Sequence, residues 1–139
     1  MTIPSLARPV AQRVVSVSLR DIGDTTAAFY TYVSPLSGLN YTDAPVCDIS
    51  IDQPTLTLFV LDFASTLDGW YITGATLPPG GVFSAQQGPE SLSIQIYNPY
   101  LDNSSKSSFT INYANDRKDR KLPIDPQEGN IPRVYPEPA

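Results

Sequence analysis

The sequence predicts an all-β domain in which two antiparallel sheets pack face to face, and three observations carry that prediction. Short segments alternate apolar and polar residues, clusters of turn residues separate them, and no window of eleven residues sustains a 3.6-residue apolar period. Val15, Val17 and Leu19 share one face of the first segment, and Leu56, Leu58 and Val60 one face of another. Leu92, Ile94 and Ile96 do so in a third, and Phe109, Ile111 and Tyr113 in a fourth. Helix is expected at no more than a turn.

In chain order, the first strand is expected over residues 13–20, closed by the polar turn Asp21-Ile22-Gly23-Asp24. The second, 27–33, sets Tyr30 and Tyr32 on one face and Phe29 and Val33 on the other, and Pro35 ends it. Residues 34–45, with Gly38, Asn40 and Asp43, read as a long loop crossing between sheets. A short strand, 46–51, follows. Pro54 opens the most apolar strand, 55–63, where Phe59 and Leu61 supply a second apolar face, so burial on both sides is expected. Asp68-Gly69 admits φ > 0 and predicts a tight turn into a returning strand, 70–75. Pro78-Pro79-Gly80-Gly81 breaks the chain before a weak strand, 82–86, and the Gly88-Pro89 turn. Clean alternation over 91–97 stops at Asn98-Pro99 and resumes over 107–114, which predicts a hairpin across the polar loop between them. Some seven or eight strands at this spacing read as an immunoglobulin-like antiparallel β-sandwich, with a jelly roll or small barrel as the alternatives.

Composition bounds the function. A chain of 139 residues with 41% apolar residues suits one domain with a real core, and its 14 prolines and 8 glycines suit a loop-rich β fold. The formal charge of −5 argues against nucleic acid as a partner, because phosphate neutralisation needs a basic surface. Cys47 is alone, so no internal disulfide forms and a reducing, cytoplasmic setting is expected. The first ten residues lack the apolar stretch of a signal peptide, and no run approaches the ~20 residues of a membrane-spanning helix.

Beyond Asp116 the composition changes. Arg117-Lys118-Asp119-Arg120-Lys121 is a charge run, and a Pro-rich stretch follows it. The expected division is a β-sandwich domain over 1–121 and an extended tail over 122–139. Prolines bar such a tail from a central strand, so it should pack on the domain or on a partner. Within it, Asp125 suits an Asx-turn, Pro126 fixes its own φ, and Asn130 after Gly129 suits a left-handed residue. Asp125-Pro126-Gln127-Glu128-Gly129-Asn130-Ile131-Pro132-Arg133, with a Pro136-Glu137-Pro138 ending, resembles the DP-EP family of small bacterial proteins. The Asp-Pro-x-x-x-Asn stretch is also similar to the bacterial AidA/PixA inclusion-body family. The first resemblance implies a bacterial β-sandwich with no established activity, so it assigns no catalytic residue; the residues that carry it are Asp125, Pro126, Asn130 and Pro132.

Chemistry is constrained by what is missing. Without histidine, the Ser-His-Asp and Cys-His mechanisms and histidine-containing zinc sites are excluded. A Ser-Lys dyad around Lys106 would need a buried lysine, and this Ser-rich stretch reads as an exposed loop. Asp62, Asp68 and Glu90 sit near strand ends with nothing to pair them as glycosidase carboxylates. Asp43, Asp48 and Asp52 do not follow a calcium-loop spacing, so no metal or other cofactor is expected. Cys47 has no basic neighbour in sequence and reads as a core thiol. Aromatic residues near strand ends are the binding candidates: Trp70, Tyr71, Tyr97, Tyr100 and Tyr113, whose rings could stack on sugars or anchor a protein. The reading is a non-enzymatic structural or protein-interaction protein, with a carbohydrate-binding module as the alternative. A second copy of the chain is the expected partner, and a glycan the expected ligand on the alternative.

Overall fold

The structure, a computed structural model, describes residues 10–34 and 36–132. Pro35, the first nine residues and the Arg133 to Pro138 part of the tail motif lie outside the described residues. Among the described residues twelve strands and one short α-helix follow one another, with a 3-10 turn over Pro89–Ser91: β1 (Ala11–Ile22), β2 (Thr25–Val33), β3 (Asn40–Ala44), β4 (Asp48–Ile51), β5 (Thr55–Leu61), α1 (Phe63–Asp68), β6 (Trp70–Thr76), β7 (Ser84–Gln87), β8 (Ser93–Asn98), β9 (Lys106–Ser108), β10 (Thr110–Asn115), β11 (Arg120–Ile124) and β12 (Gln127–Asn130). They form a six-stranded sheet in the order β3-β2-β1-β5-β8-β7 and two three-stranded sheets, β11-β10-β6 and β4-β12-β9. All three sheets contribute to one apolar core, giving an all-β, sandwich-like architecture.

Alternation explains the inward faces. Val15, Val17 and Leu19 of β1 meet Ile94 and Ile96 of β8, Trp70 and Ile72 of β6, and Ile111 and Tyr113 of β10 in that core. Phe59 of β5 and Phe109 meet edge to face, with ring centroids 5.8 Å apart, the geometry an aromatic quadrupole favours. At the end of β5, Asp62 caps α1 by accepting from the Ser65 backbone N–H at 2.8 Å. Ser65 in turn accepts from Leu19 N–H at 2.8 Å, which ties the helix to the rim of β1.

Several expectations are corrected. Among the described residues strands number twelve, not seven or eight, because residues 40–44, 106–108 and 120–130 also pair. The loop expected over 34–45 therefore contains β3, which stays in the sheet of β2. Pairing is not antiparallel throughout, since β1 runs parallel to β5 and β12 parallel to β4. Asp68-Gly69 does not close a hairpin: Gly69 (φ 106°) is the left-handed C-cap of α1, and β5 and β6 lie in different sheets. Likewise β8 and β10 fall in different sheets, so the expected hairpin between them is absent.

The largest correction concerns the tail. β11 runs through the expected boundary at residue 121 and pairs with β10, and its Pro123 sits on an edge strand, where a missing N–H is tolerated. β12 is the central strand of its sheet, between β4 and β9. It carries no proline, because Pro126 and Pro132 flank it instead. Residues 122–130 thus pack on the rest of the chain, as expected, but as paired strands and not as an extended cover. Asn130 is a strand residue and not left-handed, and the Asp125 carboxylate accepts from the Thr110 hydroxyl at 2.7 Å.

Candidate functional site

The structure does not bring the five candidate aromatic residues together. Trp70 and Tyr113 are fully buried core residues and unable to stack on a ligand. Burial raises the Tyr113 phenol well above its usual pKa. Tyr71 projects from the other face of β6, where its hydroxyl donates to Asp116 at 2.9 Å. Tyr100, left-handed at φ 55°, packs against the core and donates its hydroxyl to the Ile131 carbonyl. Tyr97 lies on the open face of the six-stranded sheet.

That face is the outer surface of the six-stranded sheet. Side-by-side partners share a face, so the register builds the rows Gln12, Leu56, Tyr97, Ser84 and Val14, Leu58, Gln95, Gln86. A third row is Thr31, Ser16, Val60 and Ser93. None of these twelve positions is charged. Val14 is 58% exposed, and Leu56, Leu58, Val60 and Tyr97 are half-buried. Charge returns only at one end, where Arg20 lies over the Phe29 ring at 4.8 Å and pairs with Asp43 at 2.6 Å.

The opposite side of β5 holds a different arrangement. Its inward face carries Thr55 and Thr57 before Phe59 and Leu61, and facing the threonines is the carboxylate of Glu128, only 1% exposed. Glu128 accepts from the Thr57 hydroxyl at 2.8 Å and from the Asn98 amide at 3.3 Å. Asn98 also donates to the Asn130 side-chain oxygen at 3.1 Å, and Asn130 donates to the Asp102 carbonyl at 3.0 Å. Burial is the leading influence on Glu128 and raises its pKa, against the opposing pull of these hydrogen bonds and of Arg13. The same burial lowers Arg13, whose Nε and Nη1 have no hydrogen-bond partner among the described residues. Cys47, buried nearby and further disfavoured as a thiolate by Glu128, is pushed up to about 12, so it is an inert thiol.

This polar seam ends at a cavity of about 190 Å³ between the 78–83 and 98–107 segments. Asn98, Asn130 and Asp102 line it together with Pro78, Pro79 and Phe83. Asp102 is held ionised below the usual carboxylate range by the backbone N–H groups of Ser104 and Ser105 and the Ser105 hydroxyl. Of the tail motif, Asn130 reaches this cavity, Asp125 and Pro132 are exposed, and Pro126 is buried with its carbonyl accepting from Phe109 N–H. Sequence reasoning missed Glu128 and Asn98. Their signal was a polar residue at the inward position of a strand, opposite Thr57, which an apolar pattern cannot register.

The charge run proves to be a clamp. Lys118 bridges Asp21 and Asp68, and Arg120 pairs with Asp21 at 2.8 Å, tying the β10–β11 connection to β1 and α1. Lys106 pairs with Asp48 at 2.9 Å on the surface, where it is no base for a serine. Among the described residues no group of three or more Cys, Asp or Glu side chains is placed to hold a metal ion. Nor is any helix among them long and apolar enough to cross a membrane. No protein-family model matches the chain, and no curated protein matches it.

Proposed function

We propose that this chain is a non-catalytic β domain that works by contact, and that the contact is with a second copy through the outer face of β1, β5 and β8. The observation behind this reading is the block of uncharged rows centred on Val14, Leu56, Leu58 and Tyr97 in a chain of net charge −5. Two such chains repel over most of their surfaces. An apolar, charge-free sheet face is where they can approach without that penalty. At strand spacings of ~4.8 Å and ~3.3 Å per residue the face measures roughly 20 by 20 Å, or about 400 Å² per copy. That area suits a weak, reversible dimer. The carboxylates speak for a non-catalytic role, since Glu128 is committed to internal hydrogen bonds and Asp21, Asp43, Asp48 and Asp68 to ion pairs.

The same proposal includes kinship with the DP-EP family, on the tail residues, an immunoglobulin-like form of the sandwich, on the short strands packed around one core, and a cytoplasmic setting, on the lone Cys47; none adds an activity. Light scattering over a concentration series tests the contact. The wild-type mass should rise toward a dimer with concentration, and Val14→Glu, at an exposed position, should stay monomeric with an unchanged melting temperature. A wild-type mass that never rises, or a Val14→Glu variant that associates equally well, removes this reading.

A further inference from the structure

The cavity beside the polar seam is a second site, independent of self-association, and we infer that it binds a neutral, pyranose-sized sugar. Size comes first. At about 190 Å³ the cavity is smaller than the ~300 Å³ at which drug-sized pockets begin, so it takes one small ring and not an extended chain. Charge comes next. No lysine or arginine lines it, and its one ionised residue is Asp102, so an anionic ligand would meet repulsion with no cation to pair with.

The polar side is fixed in advance. Asn98 and Asn130 are buried, at 1% and 8% exposure, and are oriented by each other, by Glu128 and by the Asp102 carbonyl. Asn130 is held by Asp102, through its carbonyl and its carboxylate, and Asn98 Oδ1, which accepts from Tyr100 N–H at 3.0 Å, retains a lone pair. The Ser107 hydroxyl on the lining supplies a donor, and the Asp102 carboxylate a further acceptor. Such a set offers both a donor and acceptors within one small space, which is what a ring bearing adjacent hydroxyls requires. Beside it on the lining, Phe83 and the Pro78-Pro79 pair present apolar surface suited to the C–H face of that ring. An amine would satisfy Asp102 but leave the amides and the apolar wall without a role.

The test is a titration of the isotopically labelled full chain with methyl glycosides of the common hexoses, followed by amide NMR. Binding in the millimolar range should shift the side-chain amides of Asn98 and Asn130 and the backbone of Ser105 and Phe83. Leu101, 73% exposed and lining the mouth, can be changed without touching the core. Leu101→Trp should narrow the entrance and weaken binding about fivefold or more, about 1 kcal/mol, with the melting temperature unchanged. Val14→Glu should bind as the wild type does, so loss of the self-association reading leaves this one intact. The inference fails if no glycoside shifts these resonances at tens of millimolar, if Leu101→Trp binds equally well, or if methylamine alone produces the same shifts.

Discussion

The two ends of the β5 inner face, four residues apart, are built on opposite principles. At one end Phe59 and Leu61 pack with Trp70, Phe109 and Ile111, and the contact is non-directional burial. At the other, Thr55 and Thr57 face Glu128, Asn98 and Asn130, and order rests on directed hydrogen bonds. The apolar end holds the sheets together. The polar end fixes which strand occupies the middle of the third sheet, because only a strand with Glu128 and Asn130 inward satisfies Thr57 and Asn98.

The largest effect that separates the two ends is Phe59→Ala. It should cost about 3–5 kcal/mol, through lost burial and an unfilled cavity among rigid neighbours, and urea unfolding should show a lower midpoint with an unchanged slope. Asn98→Ala tests the polar end and should cost less, about 2–3 kcal/mol, because it takes one of two donors from the buried Glu128 carboxylate, which keeps Thr57, and leaves the Asn130 oxygen without a donor. Hydrogen exchange distinguishes them further. Asn98→Ala should loosen β12 and β9 selectively, whereas Phe59→Ala should lower protection throughout. If Asn98→Ala proves neutral, the seam adds no order and the contrast collapses.

The same contrast explains what could be read from the sequence. β1 and β2 were legible because their inward residues, Val15, Val17, Leu19, Tyr30 and Tyr32, are apolar or aromatic and Gly23 (φ 62°) marks the turn. β12 alternates just as regularly, half-buried then buried, yet its buried members are Glu128 and Asn130. A pattern of apolar residues is blind to that. In β5 the pattern misleads about which face is the core: Leu56, Leu58 and Val60 look outward, while Thr55 and Thr57 are fully buried. Parallel pairing of β1 with β5 joins residues 44 apart in sequence, a fact no local spacing carries. Of the candidate site residues, Asn130 alone reaches the cavity, and Tyr97 the outer face, because rings near strand ends are distributed by the pleat between inside and outside.

The smallest expected effect sharpens the comparison most, because it asks whether the charge at the polar end is itself useful. In Glu128→Gln the amide oxygen can still accept from Asn98, and the new N–H can donate to the Thr57 hydroxyl, so the hydrogen bonds survive while the buried charge disappears. The surroundings that act on this charge are Arg13, which favours it, and burial, which opposes it more strongly and leaves the folded pKa raised. A carboxyl with a raised folded pKa stabilises the fold below its unfolded pKa and loses that contribution as pH rises through the folded value. Wild type and variant should therefore be nearly equal in stability near pH 4, and the variant should gain roughly 1 kcal/mol by pH 8. Paired urea titrations across that range measure the difference. A variant less stable than wild type at pH 8 would mean that the attraction between Glu128 and Arg13 outweighs desolvation, and that the polar end is an ion-pair device and not a hydrogen-bonded one.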